Sequence, residues 1–144
     1  MTKTIGDVIS AKGSDVVCID AEATVYQALE LMAANNIGAL VVRKKGVVIG
    51  IVTERDYARK VILKGRSSPS TAVENIMTTD VIYITTGKTV EEGLALMTDK
   101  RCRHLPVFEG DEMVGLVSIG DLVKAQVEEK EFIINQLENY IKGG

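Results

Sequence analysis

The chain has 144 residues, 46% hydrophobic and 26% charged, a profile that excludes a disordered segment and allows one ordinary domain or two half-size units sharing a core. A net charge of −3 and a pI near 5.2 leave no basic footprint for nucleic acid, and apolar runs such as "ALVV" are far too short to span a bilayer. The opening "MTKTIGDVIS" lacks the apolar run of a secretory signal, and Cys18 and Cys102 are too few for a disulfide scaffold, so a cytoplasmic protein without membrane or nucleic-acid partners is expected.

Taken in chain order, "TIGDVI" (4–9) reads as a short amphipathic helix before the first copy, the counterpart of one at 71–77. Residues 16–19 alternate as a strand. "TVYQ" from Thr24 is a Thr-x-x-Gln capping box opening a helix whose apolar face runs through Ala28, Leu29 and Met32. "ALVVRKKGVVIGIV" is two β-branched runs around a glycine turn, a strand–turn–strand unit. "GIVTERD" (50–56) then leads into a second helix after Thr53. "LKGRSSPST" is Gly, Ser and Pro punctuation, a linker. "TAVENIM" (71–77) predicts a short amphipathic helix with its own capping box from Thr71 to Glu74.

From there the pattern repeats. A shift of 65 residues lays 15–62 over 80–127 without a gap, matching Asp15 to Asp80, Thr24 to Thr89, Leu29 to Leu94, Met32 to Met97, Gly50 to Gly115 and Asp56 to Asp121. The second copy has its strand at 81–84, the capping box "TVEE" from Thr89, the strand pair "LPVFEGDEMVGLV" and the closing phrase "GLVSIGD". Each copy is therefore β-α-β-β-α, and two such halves are expected to bury together what neither buries alone. The assigned spans are repeat one at 5–64, linker at 65–72, repeat two at 73–127 and a helical extension at 128–144. The extension carries the apolar stripe Val127, Ile134, Leu137 and Ile141, interrupted by Lys130, with Gly143 and Gly144 as a helix stop. Such a stripe favours a partner surface, and a homodimer is expected.

The closing phrases hold the chemistry. A core strand needs their aliphatic residues but neither the hydroxyl nor the acid. Thr53 and Ser118 have N-cap chemistry with free N–H groups expected beyond them, a setting for phosphate. Asp56 and Asp121, three residues on, sit on the first helical turn, where a carboxylate can accept bonds from vicinal ribose hydroxyls. For one copy alone, ordinary helix capping accounts for both residue types. Duplication at the same place favours the binding reading.

Tandem β-α-β-β-α units closed by "GIVTERD" and "GLVSIGD", with "ANNIGALVV", "NIMTTDVIYI" and "RCRHLPV", resemble a cystathionine-β-synthase (CBS) domain pair, or Bateman module, over about residues 5–127. The linker "GRSS", the phrase "VSIGDLVK" and the tail "LENYIKGG" are similar to small stand-alone CBS-pair proteins. The resemblance implies an α/β (α+β) fold, two repeats packed with pseudo-two-fold symmetry. It also implies a non-catalytic regulatory function, binding AMP, ADP, ATP or NAD, and in some members S-adenosylmethionine, as ligands and not as catalytic cofactors. Asp56 and Asp121 would hold ribose; Thr53, Ser118, Arg55, Arg103 and His104 would meet phosphate. Each cleft would draw on both repeats. Val17, Ile37 and Gly38 would enclose adenine beside Asp121 and Ser118. Asp80, Ile82 and Cys102 would do so beside Asp56 and Thr53. Gly120 replaces Arg55 in the second copy, so the cleft holding Asp56 is expected to depend more on phosphate charge. Replacing either aspartate by alanine is expected to remove one binding event with little loss of stability.

Competing readings are plain ones. His104 is the only histidine, makes no zinc spacing with Cys102, and reads equally as a strand-surface residue. Cys102 aligns with Ile37 and reads as an apolar wall. No P-loop, nucleophile elbow or base–nucleophile pair is legible, so an enzyme is not expected. The alternative to a nucleotide sensor with an unknown effector is a structural interaction module whose aspartates only cap helices.

Overall fold

The computed structural model describes residues 2–13 and 16–143; Asp15 of the repeat alignment and the terminal Gly144 lie outside the described residues. The chain folds as two compact units, Val16–Val81 and the pair of segments Met1–Asp15 and Ile82–Gly144. Each is built on a three-stranded sheet.

In the unit Val16–Val81, β1 (Cys18–Asp20) lies parallel to β2 (Ala39–Lys44), which pairs antiparallel with β3 (Val47–Thr53). Helix α2 (Val25–Asn35) makes the crossover that the parallel pair requires. Its capping box is the expected one: Thr24 Oγ1 accepts the Gln27 N–H at 3.1 Å, and Gln27 Oε1 accepts the Thr24 N–H at 2.9 Å. Between β2 and β3, Lys45 and Gly46 take φ values of 52° and 79°, a turn whose twist suits a hairpin. After β3 the chain forms one α-helical turn, α3 (Glu54–Tyr57), and continues as a π-helical turn, Ala58–Ile62.

The second unit repeats the plan with β4 (Ile84–Thr85), α4 (Val90–Lys100), β5 (His104–Glu109) and β6 (Glu112–Ser118), in the order β4-β5-β6. Thr89 and Glu92 form the expected capping box. The closing helix α5 (Ile119–Ile141) absorbs the tail into one 23-residue helix. The first strand of each copy sits slightly later than its alternation predicts, because the ladder to β2 opens at Cys18↔Val41 and that to β5 at Ile84↔Val107.

One expectation is corrected. "TAVENIM" is a 3-10 turn over Val73–Asn75, not a capped helix: the Thr71 hydroxyl donates to the Ser67 carbonyl at 2.7 Å, and the Thr71 carbonyl accepts the Val25 N–H. Its counterpart read at 4–9 is a helix, α1 (Ile5–Lys12), where Thr4 and Asp7 form a capping box. Each unit has its own buried cluster. Val25, Met32, Leu40, Val52, Val73 and Ile76 belong to one buried cluster; Ile5, Val8, Ile9, Met97, Leu105 and Leu122 belong to another. Each copy completes its own core with a segment lying before the other copy in sequence. α1 joins the second copy, with the Val90 N–H bonded to the Lys3 carbonyl, and 71–78 joins the first.

That arrangement explains the glycine heading each closing phrase. A Cβ on Gly50 would stand 2.7 Å from the Thr78 carbonyl oxygen, and one on Gly115 would strike the tip of Ile9. These glycines let the added segment lie directly against the strand.

Candidate functional site

At the end of β3, Thr53 is extended (φ −126°, ψ 164°) and caps α3. Its hydroxyl oxygen accepts the Asp56 N–H at 3.1 Å, while Asp56 Oδ2 accepts the Thr53 N–H at 3.0 Å and lies 3.1 Å from the Thr53 hydroxyl. The other oxygen, Oδ1, accepts the Thr78 hydroxyl at 3.3 Å and pairs with Lys60 Nζ at 3.2 Å. Lys60 is tied in turn to the Ile76 carbonyl at 2.9 Å. Asp56 is only 7% exposed, and this carboxylate is held on both oxygens.

At the end of β6 the phrase folds the same way. Ser118 Oγ accepts the Asp121 N–H at 3.1 Å, and Asp121 Oδ2 accepts the Ser118 N–H at 2.8 Å. The cation is different. Lys12, the last residue of α1, brings Nζ to 2.6 Å from Asp121 Oδ2 and 2.9 Å from the Leu116 carbonyl. Burial acts to raise the Asp121 carboxyl, but the Lys12 ammonium and the Ser118 donors outweigh it and hold the group below its usual range. His104 opens β5 directly opposite Ser118. Desolvation lowers its pKa from the ordinary 6.5, the charges of Lys12 and Arg103 lower it further, and Asp121 opposes them. The imidazole is therefore held neutral at pH 7.

Capping takes up part of what was expected for ligand. In each helix the first N–H goes back to a strand end: Glu54 donates to the Gly38 carbonyl at 3.0 Å and Ile119 to the Arg103 carbonyl at 2.8 Å. The third N–H goes to the cap hydroxyl. At least two of the first three amides are thus engaged, and the phosphate cradle anticipated at these helix starts is narrower than the sequence implies. What each opening presents is a fixed carboxylate beside an ammonium group, chemistry suited to a polyol bearing an anion.

The predicted residues distribute as follows. Thr53, Asp56 and exposed Arg55 stand at the first opening, where Gly38 supplies a carbonyl. Ser118, Asp121, exposed Arg103 and half-buried His104 stand at the second. Val17 and Ile37 are half-buried and pack at the edge of the first core. Ile82 and Cys102 do so at the second core, and Asp80 is exposed. Burial pushes the Cys102 thiol up, away from the thiolate, which suits a wall residue. Among the described residues no group of three or more His, Cys, Asp or Glu stands where it could hold a metal, and no helix is long and apolar enough to cross a membrane. Three residues escaped the sequence reading: Lys60, Thr78 and Lys12. The first was legible as an i, i+4 partner of Asp56. The others come from segments that sequence spacing does not connect to the aspartates.

Comparison with known proteins agrees with this architecture. The CBS domain family model matches residues 5–63 and 73–128. The CBS domain-containing protein CBSX3, mitochondrial, of Arabidopsis thaliana is 45% identical over 150 residues, covering 98% of this chain and 73% of that protein. A solved structure of a protein with CBS domains from Burkholderia ambifaria superposes with a TM-score of 0.85 at 46% identity, covering 88% of this chain and 95% of the other. A CBS-domain containing protein from Agrobacterium tumefaciens gives 0.83 at 37% identity, with coverages of 88% and 95%. With two matched domains spanning most of its length, each folded as the repeat predicts, the chain belongs to the CBS domain family as a tandem pair.

Proposed function

We propose that this CBS pair is a non-catalytic regulatory module that binds adenosine nucleotides at its two helix openings and signals their level to a partner protein. The observation carrying this reading is the paired carboxylate and ammonium at both helix starts: Asp56 with Lys60, Asp121 with Lys12. A carboxylate held in place accepts ribose hydroxyls, and a neighbouring cation meets phosphate. AMP, ADP, ATP and NAD all present that pair of groups, so the module would report energy or redox state. Binding would act by shifting populations of the folded chain and so changing what it presents to its partner.

The engaged capping boxes support a second reading, an interaction module without a physiological nucleotide. Thermal unfolding with AMP, ADP, ATP, NAD and S-adenosylmethionine separates the two. A ligand at about 100 times its Kd adds about 2.7 kcal/mol to stability, a shift of several degrees for a chain of this size. No shift with any of the five leaves the interaction module. Assembly as a homodimer belongs to the proposal as well, supported by the exposed Val127, Ile134, Leu137 and Ile141 along α5.

A further inference from the structure

Lys12 stands in an unusual place for a lysine that only stabilises the fold. Asp121 has a second anchor, because the Ser118 N–H donates to its Oδ2 and the Asp121 N–H in turn donates to the Ser118 hydroxyl, closing a capping box. The ion pair with Lys12 falls on the same oxygen, Oδ2, and the two side chains are 40% and 27% exposed. Lys12 therefore covers part of an acceptor that is already fixed. Lysine is a compact charge on a flexible four-carbon stem, so its ammonium can swing by several ångströms while α1 stays in place. Arg103 and His104 gather at the same opening, which is also the positive end of a 23-residue helix. Arg103 adds a cation to that opening besides Lys12, while His104 lines it as a neutral ring.

We infer that Lys12 is the phosphate-reading residue of the second opening: it rests on Asp121 in the unliganded chain and passes its ammonium to the ligand's phosphate when Asp121 takes the ribose hydroxyls. The inference rests on the nucleotide reading above and names which cation serves which group. It also supplies the charge that Gly120 lacks where the first copy has Arg55. Its signature is opposite effects on charged and uncharged ligands. Adenosine has to share Asp121 with Lys12 and recovers nothing from it. A nucleotide exchanges one ion pair for another.

Titration calorimetry of the full chain with adenosine, AMP and ATP tests this, comparing wild type, Lys12→Met and Lys12→Arg, with Asp121→Asn marking the binding event of the second opening. In that event Lys12→Met is expected to weaken AMP and ATP roughly tenfold, the worth of one charge-assisted contact at a half-exposed site, and to leave adenosine unchanged or tighter. Lys12→Arg should restore most AMP affinity. Parallel weakening of adenosine and AMP, or no change in either, overturns the inference while leaving the nucleotide reading intact. A wild-type chain that binds none of the three overturns that reading, and this one with it. Thermal melts of each variant without ligand, expected within a few degrees of wild type because Lys12 is exposed, separate lost binding from lost fold.

Discussion

The two closing phrases share a backbone path and a capping box, yet their aspartates live in different surroundings. Asp56 is buried, and both its oxygens are bonded within its own unit, to Thr53, Thr78 and Lys60. Asp121 is more exposed, and its cation arrives from α1, 109 residues earlier in the chain. The first copy follows its phrase with one helical turn and a π-helical turn; the second follows it with a helix of 23 residues. A duplicated motif thus preserves the local hydrogen-bond pattern while each copy acquires a different electrostatic neighbour. One carboxylate is woven into the structure, and the other is held by a side chain able to leave.

The largest test of that contrast is removal of the two acids. Asp56→Ala strips acceptors from the Thr53 N–H, the Thr78 hydroxyl and the Lys60 ammonium, and should lower unfolding stability by about 2–3 kcal/mol. Asp121→Ala should cost about 1 kcal/mol, the value of a lost cap. This differs from the expectation that both acids could be removed with little effect on the fold. Equal losses in urea unfolding would erase the contrast.

Next come the glycines. A methyl group at Gly50 meets a backbone carbonyl that cannot move aside, so Gly50→Ala should destabilise by about 2 kcal/mol. At Gly115 the obstacle is the end of the Ile9 side chain, which can turn, and Gly115→Ala should cost about half as much. Reversal of that order would mean that α1 is held more rigidly than segment 71–78.

Acid should act on the second copy in a defined order. The pKa of His104 is lowered by folding, so the unfolded chain binds the proton more readily. Stability is complete above the unfolded value of about 6.5 and falls as pH drops through the lower folded value. Asp121 is also depressed, so its contribution is present above its unfolded value near 3.8 and disappears as pH falls through the folded one. His104→Gln should flatten the upper limb of the stability–pH curve and leave the lower limb in place. A curve unchanged by that substitution would place the upper limb elsewhere.

The smallest effect on folding is expected at the tail. Every described residue from Glu131 onward is exposed, so ending the chain at Lys130 should change stability by no more than about 0.5 kcal/mol. Its effect on mass should be large, converting a dimer to a monomer in light scattering at micromolar concentration. A dimer that survives this truncation would move the interface away from the helical extension.

Much of this was legible in the residues themselves. Period-two and period-3.6 patterning and the boxes at Thr24 and Thr89 depend on neighbours within four positions, so they identify strands and helices without the fold. Repetition at a fixed shift then declared two equivalent units and singled out Asp56 and Asp121. That α1 packs with the second copy and 71–78 with the first was not legible, because such an exchange leaves no mark on local periodicity. Reading 71–77 as a capped helix failed for a related reason: Thr71 is engaged by Ser67 and Val25, and tertiary partners outweigh a capping signal of about 1 kcal/mol. What the sequence determined by itself was therefore the repeat, its elements and the two acids, all products of short-range spacing. Which cation stands beside each acid, how deeply each acid is buried and how many helix N–H groups are already taken were decided only in the tertiary structure. Those properties depend on side chains that meet across up to 109 intervening positions, where no periodicity connects them.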